Sequence, residues 1–406
     1  MDRPIIHGGD VNRRVRPALH AVAAVFFLCG ALFGAWASRI PAIKDRLGLD
    51  EAALGLVLLS MAVGAVLSFP VAGRLSDRYG AALICLITAC LSGPALITLG
   101  LVGEAWQIAI MLFVFGAIQG GMDVSMNIWA TDVERSRSGA VLARLHGLFS
   151  VGAGVGALGG AAFAGMGFEP LPHFIIFAVF WSVPVVWLIH RGRHVGLTLK
   201  PPSESEAQGA TVPFIAIPRG ALLYTGLIFF ASALGEGAMA DWSAVYLVEV
   251  LSTSEATGAI GFGIFSAAMV VMRFSGDAII DRFGRVACGR ICGLVAAGGA
   301  LMVASATGVW ICWIGIALLG IGYSLIIPLA FARAAADPDY SSGTAMAAVS
   351  TLGYGGFLLG APLIGFIADA TSLRISIALL AGLAVMVSML AGHLHIPEQS
   401  ASAESG

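Results

Sequence analysis

Apolar residues in this chain neither alternate nor scatter. They gather into twelve runs of spanning length, near 18–38, 52–72, 82–102, 106–130, 140–166, 171–190, 219–248, 256–276, 287–307, 309–332, 344–368 and 372–393. About twenty apolar residues in helical form cross a bilayer. Backbone groups in lipid must be satisfied within the segment, and runs this long and uniform do not suit barrel strands. Each run therefore predicts a transmembrane helix, and the fold class expected is an all-α membrane protein with twelve such helices. One polar interruption is long: RGRHVGLTLKPPSESEAQGATVPFIAIP, residues 191–218. Its basic start, proline pair and Ser/Glu patch predict a linker. The expected organisation is a tail (1–16), a six-helix bundle (17–190), the linker (191–218), a second six-helix bundle (219–393) and a tail (394–406), disordered after Pro397. The first run is too long for the core of a cleaved signal peptide, so it reads as a retained helix.

A short polar clasp follows the second run: Gly73-Arg74-Leu75-Ser76-Asp77-Arg78-Tyr79-Gly80. Its glycines allow a tight turn. A near copy runs from Gly276 to Arg285, and Asp77 to Gly80 map onto Asp281, Arg282, Phe283 and Gly284 at an offset of 204. The same offset pairs Trp106 with Trp310, Gly116 with Gly320, Gly152 with Gly356 and Gly156 with Gly360; around Gly34 and Gly237 it is 203. Two pseudo-symmetric six-helix bundles are the layout of alternating-access carriers.

Composition agrees: 58% of residues are hydrophobic and 11% charged, against roughly 25% charged in soluble domains. The net charge of −2 favours no nucleic-acid partner. Eighteen of the 22 Lys and Arg fall on one side, in the N-terminal tail and after the even-numbered runs; Arg39, Lys44, Arg46 and Arg374 fall on the other. Positive charge marks the cytoplasmic side, which predicts cytoplasmic termini. All six cysteines lie inside apolar runs. Cys288 and Cys292 are one turn apart but have no companion ligands, so neither a disulfide framework nor a metal site is expected. Gly152-Ala153-Gly154-Val155-Gly156 lacks the Lys-Ser/Thr of a phosphate loop and reads as close helix packing.

Gly73, Asp77, Arg78 and Gly80 resemble the G-x-x-x-D-R-x-G signature of the major facilitator superfamily, with Ala81 and Ala82 departing from its usual basic pair. The resemblance covers essentially the whole chain. It implies the superfamily's fold and a gating latch at Gly73, Asp77, Arg78, Gly80, Asp281, Arg282 and Gly284, against the plainer possibility of a solvated turn. Asp123-Val124-Ser125-Met126-Asn127 looks like the acid-x-x-x-Asn element of proton-coupled fucose permeases. Segments 36–39, 144–150 and 236–242 look like a bacterial inner-membrane branch near those permeases.

Gln119, Asp123 and Asn127 stand at i, i+4 and i+8, on one helix face. A charge facing lipid costs roughly 2.5–3.5 kcal/mol on insertion scales, so this face is expected to look inward as a proton or substrate site or a structural polar cluster. Glu236, between Gly235 and Gly237, suggests a broken helix at a midplane site; its alternative is an outer-end acid grouped with Asp241. Asp241-Trp242 reads as an interfacial anchor. His146 suits a proton relay or a helix-end packing role, with Ser150 one turn on. Arg39 and Arg273 end apolar runs; either could receive an anionic substrate, but snorkelling to the headgroups is the commoner role and the one expected. Trp36, Trp129, Tyr323 and Tyr354 are candidate cavity aromatics, or ordinary helix packing.

These features predict a monomeric secondary transporter of the inner membrane, symport included, moving a small molecule by alternating access driven by the gradient of protons or of the substrate itself, with no cofactor or metal. A carrier-fold sensor or scaffold predicts no flux. A membrane-embedded transferase would need larger catalytic loops than those outside the linker.

Overall fold

The computed structural model describes residues 8–136, 142–195, 219–340 and 342–396. Most of the expected linker (196–218) and of the C-terminal tail (397–406) lies outside the described residues. Among the described residues there are helices and no strands, and twelve helical spans are long and apolar enough to cross a membrane.

The first half comprises α1 (Gly8–Ala37), a short α2 (Ile40–Leu47), α3 (Glu51–Tyr79), α4 (Ala81–Leu101), α5 (Ala105–Arg135), α6 (Leu142–Gly165) and α7 (Pro170–Gly192). The second comprises α8 (Ala221–Val250), α9 (Glu255–Phe283), α10 (Arg285–Ser305), α11 (Val309–Tyr323), α12 (Ile326–Ala335), α13 (Ser342–Ala370) and α14 (Leu373–Leu390). The α3 and α4 boundaries recur in α9 and α10 when 204 is added. The caps recur too: Asp50 accepts from Ala53 N–H, and Ser254 from Thr257 N–H, each holding an otherwise orphan first-turn donor. A methyl on Gly116 would strike the Met61 carbonyl, and one on Gly320 the Phe265 carbonyl, the same contact shifted by 204. Gly152 against Phe27 and Gly356 against Phe230 repeat this between α1 and α6 and between α8 and α13. Small residues let backbones approach where lipid gives no hydrophobic drive to association.

The clasp differs from its expected form. Helix continues through Tyr79, and the turn is made by Gly80 alone, at φ 89° and ψ 133° with its N–H on Ser76 O at 2.8 Å. Gly284 repeats it at φ 78° and ψ 156°. Gly73 lies inside α3 and makes no turn. Helix 8 of the chain likewise shows no break at Glu236: α8 runs unbroken from Ala221 to Val250. The interruption falls at Ser324-Leu325, between α11 and α12. Pro328 explains it, because its ring clashes with the carbonyl four residues earlier and it offers no N–H.

The halves meet along α3 with α13 and α6 with α9. At the end opposite the clasps, a methyl on Gly55 would lie 3.1 Å from both Ala361 O and Pro362 Cα, so the α3 and α13 backbones pack closely there. Two cross-half ion pairs join there: Lys44 to Glu249 at 2.6 Å and Arg39 to Glu255 at 3.4 Å. Arg39 also donates to Phe168 O at 2.6 Å, correcting its snorkelling role. Burial draws the Arg39 guanidinium below its usual pKa, and Glu255 works against that shift. Arg46 and Arg374 donate to carbonyls at the C-terminal ends of α4 and α10, where helix dipoles favour cations. All four cations on the sparsely basic side thus have structural partners. Trp106 and Trp310, the repeated pair, are both exposed at helix starts, as interfacial anchors are.

Candidate functional site

A cavity of about 330 Å³ opens between the halves. Its polar wall is Gln119, Asp123, Ser150, Glu236, Asp241 and Arg273. Its aromatic wall is Phe33, Phe69, Phe149, Phe262, Phe265 and Phe357. The repeat reaches into this lining: Leu58, Met61, Ala62, Ala65 and Phe69 of α3 line it, and so do Phe262, Phe265, Ser266, Met269 and Arg273 of α9, each 204 residues on. These spacings describe one helical face. The halves contribute matching positions and different chemistry.

The centre is Arg273. Its Nη1 donates to Ser150 Oγ at 2.8 Å and its Nη2 lies 3.4 Å from Glu236 Oε2. Ser150 belongs to the first half and Glu236 to the second, so one guanidinium spans both. Arg273 therefore does not snorkel, and Glu236 sits mid-way along α8 rather than at its outer end. Gly235 has a packing role: a methyl there would strike the Tyr323 ring, which lies against α8.

On α5, Gln119 Nε2 donates to Cys29 O at 3.0 Å. Asn127 Nδ2 donates to Asp123 Oδ1 at 3.2 Å and to Asp123 O at 2.8 Å. Gln119 and Asp123 line the cavity, and Asn127 stands one turn beyond, steadying Asp123. Asp241 also lines the cavity, while Trp242 is fully buried, so the pair is no interfacial anchor. His146 is exposed, meets Phe26 edge-on at 5.2 Å, and is not part of the cavity wall.

The candidate aromatics do not line it. Trp36 and Tyr323 are fully buried in the helix core, and Tyr354 packs against Phe69 at 5.4 Å. Phenyl rings from five helices take that place. The cavity wall also takes Arg273 and Asp241, against their expected snorkelling and anchoring roles; for Arg273 the signal in the sequence is its repeat position opposite Phe69.

A family model described as the Major Facilitator Superfamily matches residues 21–356. The chain belongs to the major facilitator superfamily. It is 37% identical over 379 residues to an uncharacterised transporter, y4wD, of Sinorhizobium fredii, covering 93% of this chain and 98% of the relative. It is 30% identical over 389 residues to the membrane protein MosC of Rhizobium meliloti, covering 94% and 91%. Among solved structures, a mutant of the nucleoside transporter NupG superposes with a TM-score of 0.70 at 15% identity, covering 93% of this chain and 99% of that one. The Escherichia coli fucose:proton symporter FucP gives 0.63 at 16% identity, covering 94% and 99%. At that identity the likeness is one of fold. As a superfamily member the protein is a multi-pass secondary transporter and not an enzyme.

In the superfamily signature of this chain, Asp77, Arg78, Asp281 and Arg282 are all exposed, and none forms an ion pair among the described residues. Arg78 lies over the Tyr79 ring at 5.2 Å and Arg282 over Phe283 at 5.6 Å.

Proposed function

We propose that this transporter couples the movement of a small organic solute to protons in a bacterial inner membrane, with the clasp end and both termini in the cytoplasm. The observation that carries the reading is the Arg273 bridge, bonded at once to Ser150 of one half and Glu236 of the other. While Glu236 is ionised, it holds Arg273 by charge; once protonated, it no longer does. Proton binding at Glu236 therefore loosens a contact between the two halves, and Asp123, steadied by Asn127, supplies a second carboxyl on the facing wall. The exposed clasps fit a latch released in this conformation, while the ion pairs at the far end hold that end shut.

The test is uptake into proteoliposomes across a panel of metabolites, with and without an imposed pH gradient, for the wild type, Asp123→Asn and Glu236→Gln. Gradient-driven flux is expected for the wild type and should be lost in either variant. Flux of the transported solute that ignores the gradient overturns the coupling.

A further inference from the structure

The polar atoms of the cavity divide unevenly between acceptors and donors. Asp123, Glu236 and Asp241 bring three carboxyls, and Arg273 is the one basic side chain in the wall. Arg273 is already engaged by Ser150 and Glu236. Gln119 is 7% exposed and gives its N–H to Cys29 O, which leaves Oε1 buried and without a partner. The orientation of that amide follows from the contact, since a carbonyl requires the N–H side. Glu236 Oε1 is buried without a partner too, and Asp241 forms no ion pair or side-chain hydrogen bond among the described residues. Apart from Arg273, held by Ser150 and Glu236, no donor carrying positive charge lines the cavity among the described residues.

The rest of the wall narrows the chemistry. Six phenyl rings line the same cavity as the acids, and ring faces attract cations. A neutral sugar, with hydroxyls that both donate and accept, would face mostly acceptors and carbon. An anion would meet three carboxyls and an arginine already paired. A volume of about 330 Å³ lies at the small end of ordinary ligand pockets, roughly 300–1,000 Å³.

We infer that the cargo is a small amphipathic organic cation, a protonated amine on a compact apolar body. Its ammonium group sits among Asp123, Asp241 and the free Gln119 oxygen, and its body lies against the phenyl rings. This assignment rests on the cavity being the cargo site of the transporter, and it gives Asp241 and Gln119 roles that proton coupling leaves open.

Three probes sharing one body separate the cases: 4-phenylbutylammonium, 4-phenylbutan-1-ol and 4-phenylbutanoate. Binding to the purified full chain is measured by calorimetry, without any gradient, so the result stands apart from coupling. The ammonium probe is expected to bind at least tenfold more tightly than either of the others. Asp241→Asn and Gln119→Leu should each weaken it about tenfold and weaken the alcohol by less. Equal binding of the three, preference for the carboxylate, or a wild-type ammonium preference in Asp241→Asn overturns the assignment. The comparison on the wild type needs no variant to fold. Loss of this preference alongside intact gradient-driven flux of another solute removes the cargo class and leaves the coupling standing. The reverse pattern removes the coupling alone.

Discussion

Glu236 and Arg273 differ in what each can do when the other is removed. A carboxyl stranded in the cavity can take up a proton, whereas a guanidinium stays charged at any accessible pH. Their side chains are 12% and 19% exposed, so water screens them little. Glu236→Ala is therefore expected to destabilise the protein by on the order of 3 kcal/mol, in line with breaking a buried pair from one side. Arg273→Ala should cost less, and Ser150→Ala about 1 kcal/mol. The order of thermal midpoints in one detergent checks this; Arg273→Ala melting lowest would contradict it. A second residue-scale expectation concerns Gly235. Valine there would collide with the buried Tyr323 ring, a clash worth about 1–3 kcal/mol. Pairing it with Tyr323→Leu should recover part of the loss in the same assay.

At the scale of the element, the two glycines of the clasp separate. Gly73 is helical, and a methyl on it would meet nothing within 4 Å. Gly73→Ala should therefore raise stability by about 0.5–1 kcal/mol, the usual helix-interior gain. Gly80 holds a φ of 89°, where a side chain costs about 1–3 kcal/mol, so Gly80→Ala should lower the melting point. Shifts of opposite sign, with the fall for Gly80→Ala the larger, are the expected result; a drop for Gly73→Ala would mean that its role belongs to another conformation of the carrier. The sequence put both glycines in one turn because a motif records residue identity and not dihedral angles. It placed a helix break at Glu236 for a similar reason. Flanking glycines signal a permissive backbone, but in α8 one of them makes room for Tyr323, and the break lies near Pro328 in the segment after α11.

At the scale of the whole molecule, closure at one end rests on charges contributed by both halves. Lys44 reaches Glu249 at 2.6 Å and Glu51 at 3.7 Å, while Arg39 reaches Glu255. Lys44→Glu places like charges together and should shift the population toward an opening at this end. Spin labels on the two halves there should report a longer distance, and adding Glu249→Lys should restore the shorter one. An unchanged distance in Lys44→Glu would show that α3 and α13 hold this end closed without the charges. Much of this architecture was legible beforehand. Twelve apolar runs, their duplication and the Trp106–Trp310 pair all follow from local composition and from a register that survives in the sequence.

What the sequence determined by itself is the class of machine. Lipid forces each long apolar run to satisfy its own backbone, and a repeat of 204 residues forces two like halves. It also brought Gln119, Asp123 and Asn127 to one helix face, because spacing along a single helix is a local property. Which acids and which arginine share a cavity is set by how the helices pack. Arg273, Ser150 and Glu236 come from three helices in two halves, and no periodicity within one helix encodes their meeting. The clasp, read first as a turn, is the end of a helix closed by one glycine. The cavity chemistry lies deeper, where copies of the same positions in the two halves carry Phe69 and Arg273.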